Sequence, residues 1–201
     1  MRSIVAALLF LLQTPALPPA YPRPGASKIL ENDRVVVWNI AWLKQQYPLH
    51  RHIYDLVGVY YEPGDRMIFA ADGTKRPVST KAGDIAFQKS GVTHIEEGTS
   101  DPPLRAVFIE FKQTAPSGQI DSAAQPPAFP RDGEKQLLDN ERTTVWEHAA
   151  GSKSAGSHRH VHDAVAVWMD AKTAHAAFVP RGTSHADEGA GSARAWVFEL
   201  K

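Results

Sequence analysis

The chain has 201 residues, with 22 Lys and Arg against 22 Asp and Glu, 43% hydrophobic residues, 15 Pro, 14 Gly and no Cys. Zero formal charge offers no electrostatic footprint for nucleic acid or an anionic membrane surface. The missing cysteine excludes disulfides, thiolate metal sites, Fe–S clusters and a Cys nucleophile, so a metal must be held by His and oxygen.

The chain opens on Met1-Arg2, an apolar run from Ile4 to Leu12, and Thr14-Pro15-Ala16. This positive start, short apolar stretch and small-residue exit predict a secretory signal peptide over residues 1–17, and so a periplasmic or secreted protein. The run is too short to span a bilayer as a mature helix, and Pro15, Pro18, Pro19 and Pro22 close it. After cleavage no membrane partner is expected.

An internal repeat organises the rest. Pro18-Pro19-Ala20-Tyr21-Pro22-Arg23 recurs as Pro126-Pro127-Ala128-Phe129-Pro130-Arg131, and Leu30-Glu31-Asn32-Asp33-Arg34 as Leu138-Asp139-Asn140-Glu141-Arg142, all at an offset of 108. The offset persists through Trp38 and Trp146, through His50-Arg51-His52 and His158-Arg159-His160, and ends with Asp55 and Asp163. Register then resumes at an offset of 91, pairing Phe87 with Phe178, Gly91 with Gly182 and His94 with His185, so 17 residues within Pro63 to Asp84 have no counterpart. The turn residues punctuating that stretch predict a hairpin that the second copy lacks. Units are therefore expected over 18–112 and 126–201, joined by a small, polar linker over 113–125.

Secondary structure is expected to be β throughout. Arg34 to Trp38, Leu56 to Tyr61, Asp84 to Phe87 and Ala106 to Phe111 are short, β-branched or aromatic and bounded by Gly, Pro or Asp. Several such strands per copy predict a barrel or sandwich, with the recurring aromatics Trp38, Tyr60 and Phe87 and their partners Trp146, Trp168 and Phe178 in the core. Trp42 and Tyr54 are open to a stacking role, and His148 and His175, without partners in the other copy, are expected at the surface.

Six of the nine histidines occupy three positions of the repeat: His50, His52 and His94, then His158, His160 and His185. Residues i and i+2 of a strand share a face about 7 Å apart, so His-x-His can converge on one ion, completed by a third His from a distant strand. Neutral imidazole suits Fe, Mn, Ni, Cu or Zn, and these six are the expected metal ligands.

His50-x-His52 together with Gly83-x5-Lys89-x-Gly91-x2-His94, and His158-x-His160 with Pro180-x-Gly182-x2-His185, resemble the two motifs of the cupin superfamily. The resemblance covers nearly the whole chain after the leader. It implies an all-β fold of two tandem cupin-type barrels (jelly-roll, double-stranded β-helix), the second lacking about one hairpin. It also implies a divalent transition metal and a small-molecule substrate or ligand. The trimmed second unit, closing poorly, is expected to pack its sheet on the first unit or on another subunit of a homo-oligomer. The family's Glu ligand is missing: Val57 and Val165 stand at its place. Asp55 shares the strand parity of Val57, so it is either a substitute ligand or an acid that fixes the turn before the strand or bonds and orients His52, and Asp163 is its counterpart. His162 is a further ligand candidate in the second unit. Glu96 and Asp187, two residues after the third His, lie on the same strand face as that His and are ligand or proton-transfer candidates; Glu96 and Asp55 are thus the expected catalytic acids. Glu110 and Glu199, inside the last apolar strands, are either barrel-lining acids with a raised pKa or edge residues. The leading functional expectation is an exported metal-binding bicupin acting on a small organic molecule as a dioxygenase, isomerase or decarboxylase. The alternative is a non-catalytic ligand-binding or structural module.

Overall fold

A computed structural model describes residues 16–112, 128–148, 156–187, 191, 192 and 194–201. The sequence-assigned leader and linker therefore lie almost entirely outside the described residues. Those described form fourteen strands and no helix, and hence no helix long and apolar enough to cross a membrane.

The first unit contributes β1 (Ala26–Glu31), β2 (Val35–Ala41), β3 (Gln46–Arg51), β4 (Asp55–Glu62), β5 (Gly64–Phe69), β6 (Lys75–Thr80), β7 (Ile85–Gln88), β8 (Thr93–Gly98) and β9 (Arg105–Phe111). The second contributes β10 (Glu134–Asp139), β11 (Thr143–His148), β12 (Asp163–Asp170), β13 (Thr173–Val179) and β14 (Arg194–Leu200). One five-stranded antiparallel sheet of order β1-β2-β9-β4-β7 is matched by another of order β10-β11-β14-β12-β13. The repeat is reproduced in detail: register shifts at Lys28/Leu30 in one copy and at Gln136/Leu138 in the other. Asn32 Oδ1 accepts from the N–H groups of Arg34 and Val35, and Asn140 Oδ1 from those of Arg142 and Thr143, so the same side chain closes the same hairpin twice.

The first unit has a further sheet, β3-β8-β5-β6, which faces the first across the barrel. In the second unit the chain turns from β12 directly into β13, with Asp170 paired to Thr173, so the β5–β6 hairpin has no equivalent. The counterpart of the β3–β8 pair is a single bridge between His158 and His185. The trimming predicted from the sequence thus removes one hairpin and, among the described residues, leaves the second unit without the matching wall.

Strands with both faces buried explain the continuous apolar runs. Along β2, Val36, Trp38 and Ile40 enter the interior of the first barrel, while Val35 and Val37 join a core shared by the two units. β9 divides in the same way, with Ala106 and Phe108 inside and Val107, Ile109 and Phe111 in the shared core. The second unit contributes Val145, Val165, Val167, Trp196, Phe198 and Leu200 to that core, and its own interior holds Trp146, Ala164, Ala166 and Val197. The two five-stranded sheets therefore pack back to back, as in a sandwich whose outer faces are the barrel interiors. Gly58 is required where β4 crosses β9, because a Cβ there would lie 2.0 Å from the Phe108 ring. The equivalent pair in the second unit is Ala166 and Val197, with the bulk redistributed across the strands.

Candidate metal centre

β3 and β8 bring the first three histidines together. His50 on β3 pairs in register with His94 on β8, and His52 follows two residues after His50. The loop before β8 is stitched to this strand by the Gly91 N–H donating to the His52 carbonyl (2.7 Å) and the His52 N–H donating to the Val92 carbonyl (2.9 Å). All three imidazoles are buried and offer ligand nitrogens within 4.8 Å of one another. His50 Nδ1 donates to the Pro48 carbonyl at 2.9 Å, which leaves Nε2 as the lone-pair nitrogen.

His52 Nε2 and His94 Nε2 are 3.3 Å apart. Two nitrogens each 2.0–2.1 Å from one ion at a tetrahedral angle lie about 3.3 Å apart, so the pair is spaced as two ligands of one ion. His50 Nε2 and His52 Nδ1 are buried with no hydrogen-bond partner among the described residues. These residues fit a divalent transition metal.

Burial, with the neighbouring imidazoles, pushes His52 down to about 3. Burial also lowers His94, opposed by Glu96, to about 4, and lowers His50. In the metal-free protein the unfolded chain therefore binds protons first as pH falls below about 6.5, and stability declines from there toward pH 4. Urea titrations of chelator-treated protein between pH 8 and pH 4 are expected to show a loss on the order of a few kcal/mol. Constant stability across that range would show that the imidazoles are hydrated.

Glu96 is brought to the triad but not into the group of three. Its Oε1 lies 3.6 Å from both His94 Nε2 and Arg66 Nη1, and its Oε2 takes an ion pair from Arg23 Nη1 at 2.7 Å and a hydrogen bond from Trp42 Nε1 at 3.0 Å. Burial alone would raise this carboxyl, but Arg23, Arg66 and His94 outweigh it and hold it at about 2. An acid that remains ionised to that pH is a poor proton acceptor near neutrality. Trp42 thus works as a hydrogen-bond donor rather than a stacking platform for ligand. The Arg23 guanidinium carbon is 4.2 Å from the Tyr47 ring centroid and 5.3 Å from those of Tyr21 and Trp42.

Asp55 is not brought to the histidines. On β4 the interior positions are Leu56 and Tyr60, whereas Val57, Val59 and Tyr61, which share the parity of Asp55, face the second unit. Asp55 Oδ2 accordingly pairs with Arg142 Nε at 2.9 Å, and its Oδ1 accepts from the Ser90 N–H at 2.8 Å. The second unit repeats the arrangement, with Asp163 paired to Arg34 at 2.9 Å and accepting from the Arg181 N–H at 2.9 Å. Each unit's loop leading to its third His is thus anchored by an Asp that the other unit's hairpin Arg clamps. At both positions the Asp stands apart from the imidazoles and joins a distant loop to the other unit, rather than closing the turn before its own strand.

His158, His160 and His185 form a second group with ligand nitrogens within 4.8 Å; His185 is less buried than its partners. His158 Nδ1 donates to the Gly156 carbonyl at 3.1 Å, and His160 Nδ1 contacts Glu199 Oε1 at 3.2 Å, an orienting carboxylate of the kind that supports metal-binding imidazoles. Asp187 and Arg131 repeat the Glu96–Arg23 pair at 2.7 Å, and Asp187 lies 3.6 Å from His158 Nε2. His162 is not part of the group. Glu110 and Glu199 are barrel-side acids, bonded to Trp38 Nε1 at 2.8 Å and Trp146 Nε1 at 3.0 Å; burial raises Glu110 against the opposing Trp38 bond. His148 is not the surface residue its lack of a repeat partner suggested: it contacts Glu134 at 2.7 Å and Arg131 at 3.3 Å.

Sequence reasoning gave no role to Arg23, Arg131 or Arg66. The first two were legible in principle, as charged residues preserved inside the aromatic-Pro-Arg repeat. Arg66 carried no signal, because it lies in the unrepeated hairpin.

Matching sheets with a His-x-His and a distant His gathered in each unit give this chain a cupin-type fold. The fold is built of two tandem units, a complete first one and a trimmed second one. AerE from Microcystis aeruginosa aligns over 92% of this chain and 97% of its own at 11% identity, with a TM-score of 0.57. A cupin domain from Bordetella pertussis is 27% identical over 47% of this chain and 100% of its own, with a TM-score of 0.41. A cupin 2 conserved barrel domain protein from Leptotrichia buccalis is 14% identical over 88% of each chain, with a TM-score of 0.49. No protein-family profile and no curated protein matches the chain.

Proposed function

We propose that this protein is an exported bicupin that holds a divalent transition metal on His50, His52 and His94 and acts on a small organic molecule in the first barrel. The observation that carries the reading is the buried triad with unpartnered ring nitrogens, opening on a cavity of about 460 Å³ that both His52 and His94 line. When bound, Fe, Mn, Ni, Cu or Zn supplies Lewis acidity or redox chemistry at that point. The chain's own part is to keep the imidazoles neutral by burial, to fix the His50 tautomer through Pro48, and to balance charge with an ionised Glu96. His158, His160 and His185 form a second, more open candidate site. Export rests on the character of residues 1–17.

Elemental analysis of untagged protein tests the metal. We expect near-stoichiometric metal that falls by at least half in His50→Ala/His52→Ala and by less in His158→Ala/His160→Ala. No metal after purification and reconstitution at neutral pH would end the metalloprotein reading.

One observation favours a second reading, a metal-containing binder without chemistry. Glu96, the carboxylate beside the triad, is ion-paired to Arg23 and held at about 2, which leaves no proton acceptor of ordinary carboxylate strength there.

A further inference from the structure

The cavity of the first unit has a surplus of hydrogen-bond donors. Arg66 Nε and Gln88 Nε2 are both buried and have no hydrogen-bond partner among the described residues, and both residues line this cavity. Buried donors without acceptors are costly, so a site that gathers them is complementary to a ligand rich in acceptors. Of the nearest acceptor, Glu96, the Oε2 atom is taken by Arg23 and Trp42, and Oε1 comes no closer than 3.6 Å to Arg66 Nη1.

Charge points the same way. Arg23 holds Glu96 at 2.7 Å and Arg66 approaches it to 3.6 Å, so two guanidinium charges share one carboxylate and a net positive charge remains at the cavity wall. Its guanidinium carbon stands 5.0 Å from the Trp42 ring and 5.2 Å from the Tyr60 ring, which fixes it in place. Arg76, opposite Ile68 on the neighbouring strand, adds a second cation to the lining. Leu56, Ile68, Ala86, Val92 and Phe108 give the cavity an apolar wall beside these polar groups. Glu96 Oε1, 3.6 Å from both Arg66 and His94, marks the short distance between the guanidinium and the triad.

We infer that the first barrel binds a small monocarboxylate with an apolar body, its carboxylate paired with Arg66 and its body against Leu56, Ile68 and Phe108; this rests on the reading of that cavity as the ligand site. Guanidinium and carboxylate match in planar, two-point geometry, which makes Arg66 the specificity-determining contact. Arg66 and Arg76 both belong to the hairpin that the second unit lacks, so the second unit has no equivalent anchor.

The test uses the full untagged protein, metal-loaded and chelator-treated, titrated calorimetrically with benzoate and 4-methylpentanoate and with the neutral amides of both. The acids are expected to bind about tenfold or more tightly than the amides, and Arg66→Gln to weaken benzoate by about tenfold or more at unchanged metal content. Arg66→Lys should retain part of the preference. Equal affinity for acid and amide, or no acid binding at millimolar concentration in either form, overturns the inference. If Arg66→Gln does not fold, the acid-to-amide ratio of the unsubstituted protein decides. Metal content is read on the same samples: acid binding to a protein that takes up no metal upholds this inference while ending the metal reading, and metal without acid binding does the reverse.

Discussion

Glu96→Ala is expected to cost the fold about 3–5 kcal/mol, far more than loss of an ordinary surface acid. Glu96 sits between two buried guanidinium groups, those of Arg23 and Arg66, whose side chains are 6% and 12% exposed. Removing the carboxylate leaves two like charges desolvated together, and deprives Trp42 Nε1 of its acceptor. Glu96→Gln keeps the shape and an acceptor but not the charge, so it should recover only part of the loss. Urea denaturation of the three proteins, with metal and with chelator, separates this clamp from any contribution through the ion. A loss below about 1 kcal/mol without metal would mean that water already screens the two arginines.

The first unit on its own, residues 1–112, is expected not to yield a folded monomer. The back-to-back core buries Val35, Val37, Val57, Val59, Val107, Ile109 and Phe111 against the second unit. Returning seven such side chains to water forfeits on the order of 10–20 kcal/mol of transfer free energy. That matches or exceeds the typical total stability of a domain, about 5–15 kcal/mol. The separation also strips Asp55 of Arg142, releasing the clamp on the Ser90 loop that leads to His94. Size-exclusion chromatography and near-ultraviolet circular dichroism read the outcome; a well-ordered monomer with an intact metal site would refute a shared core. Phe198→Ala in the full chain gives a milder measure of the same face, with an expected cost of about 3–5 kcal/mol. Because Phe198 belongs to the second unit, lower stability of the first metal site in that variant would report directly on the coupling.

The role of the trimmed unit follows from these packing facts. Its sheet has kept the strand order, the bulge and the Asn-closed hairpin of the first unit, all of which shape the shared core. What it has lost is the β5–β6 wall, which in the first unit supplies Arg66 and Ile68 to the cavity. The shared core is built from the two five-stranded sheets, and the β3-β8-β5-β6 sheet takes no part in it.

The repeat, its missing hairpin, the β strands and the two histidine triads were legible in the sequence because each depends on local pattern. A His-x-His pair, a matching downstream motif and a β-branched run keep their spacing whatever surrounds them. The orientation of Asp55 was not legible. Alternation along β4 separates Asp55, Val57 and Val59 from Leu56 and Tyr60, but the valines are as buried as Leu56 and Tyr60, and only the packing of one sheet on the other shows which set faces the barrel. The same holds for charge: Arg23 lies 73 residues from Glu96, and their pairing depends on closure of the barrel. Sequence by itself determined the duplicated β architecture and which imidazoles meet. Tertiary structure alone decided which acids stand beside them, since a carboxylate's role depends on the cations that packing brings within a few ångströms.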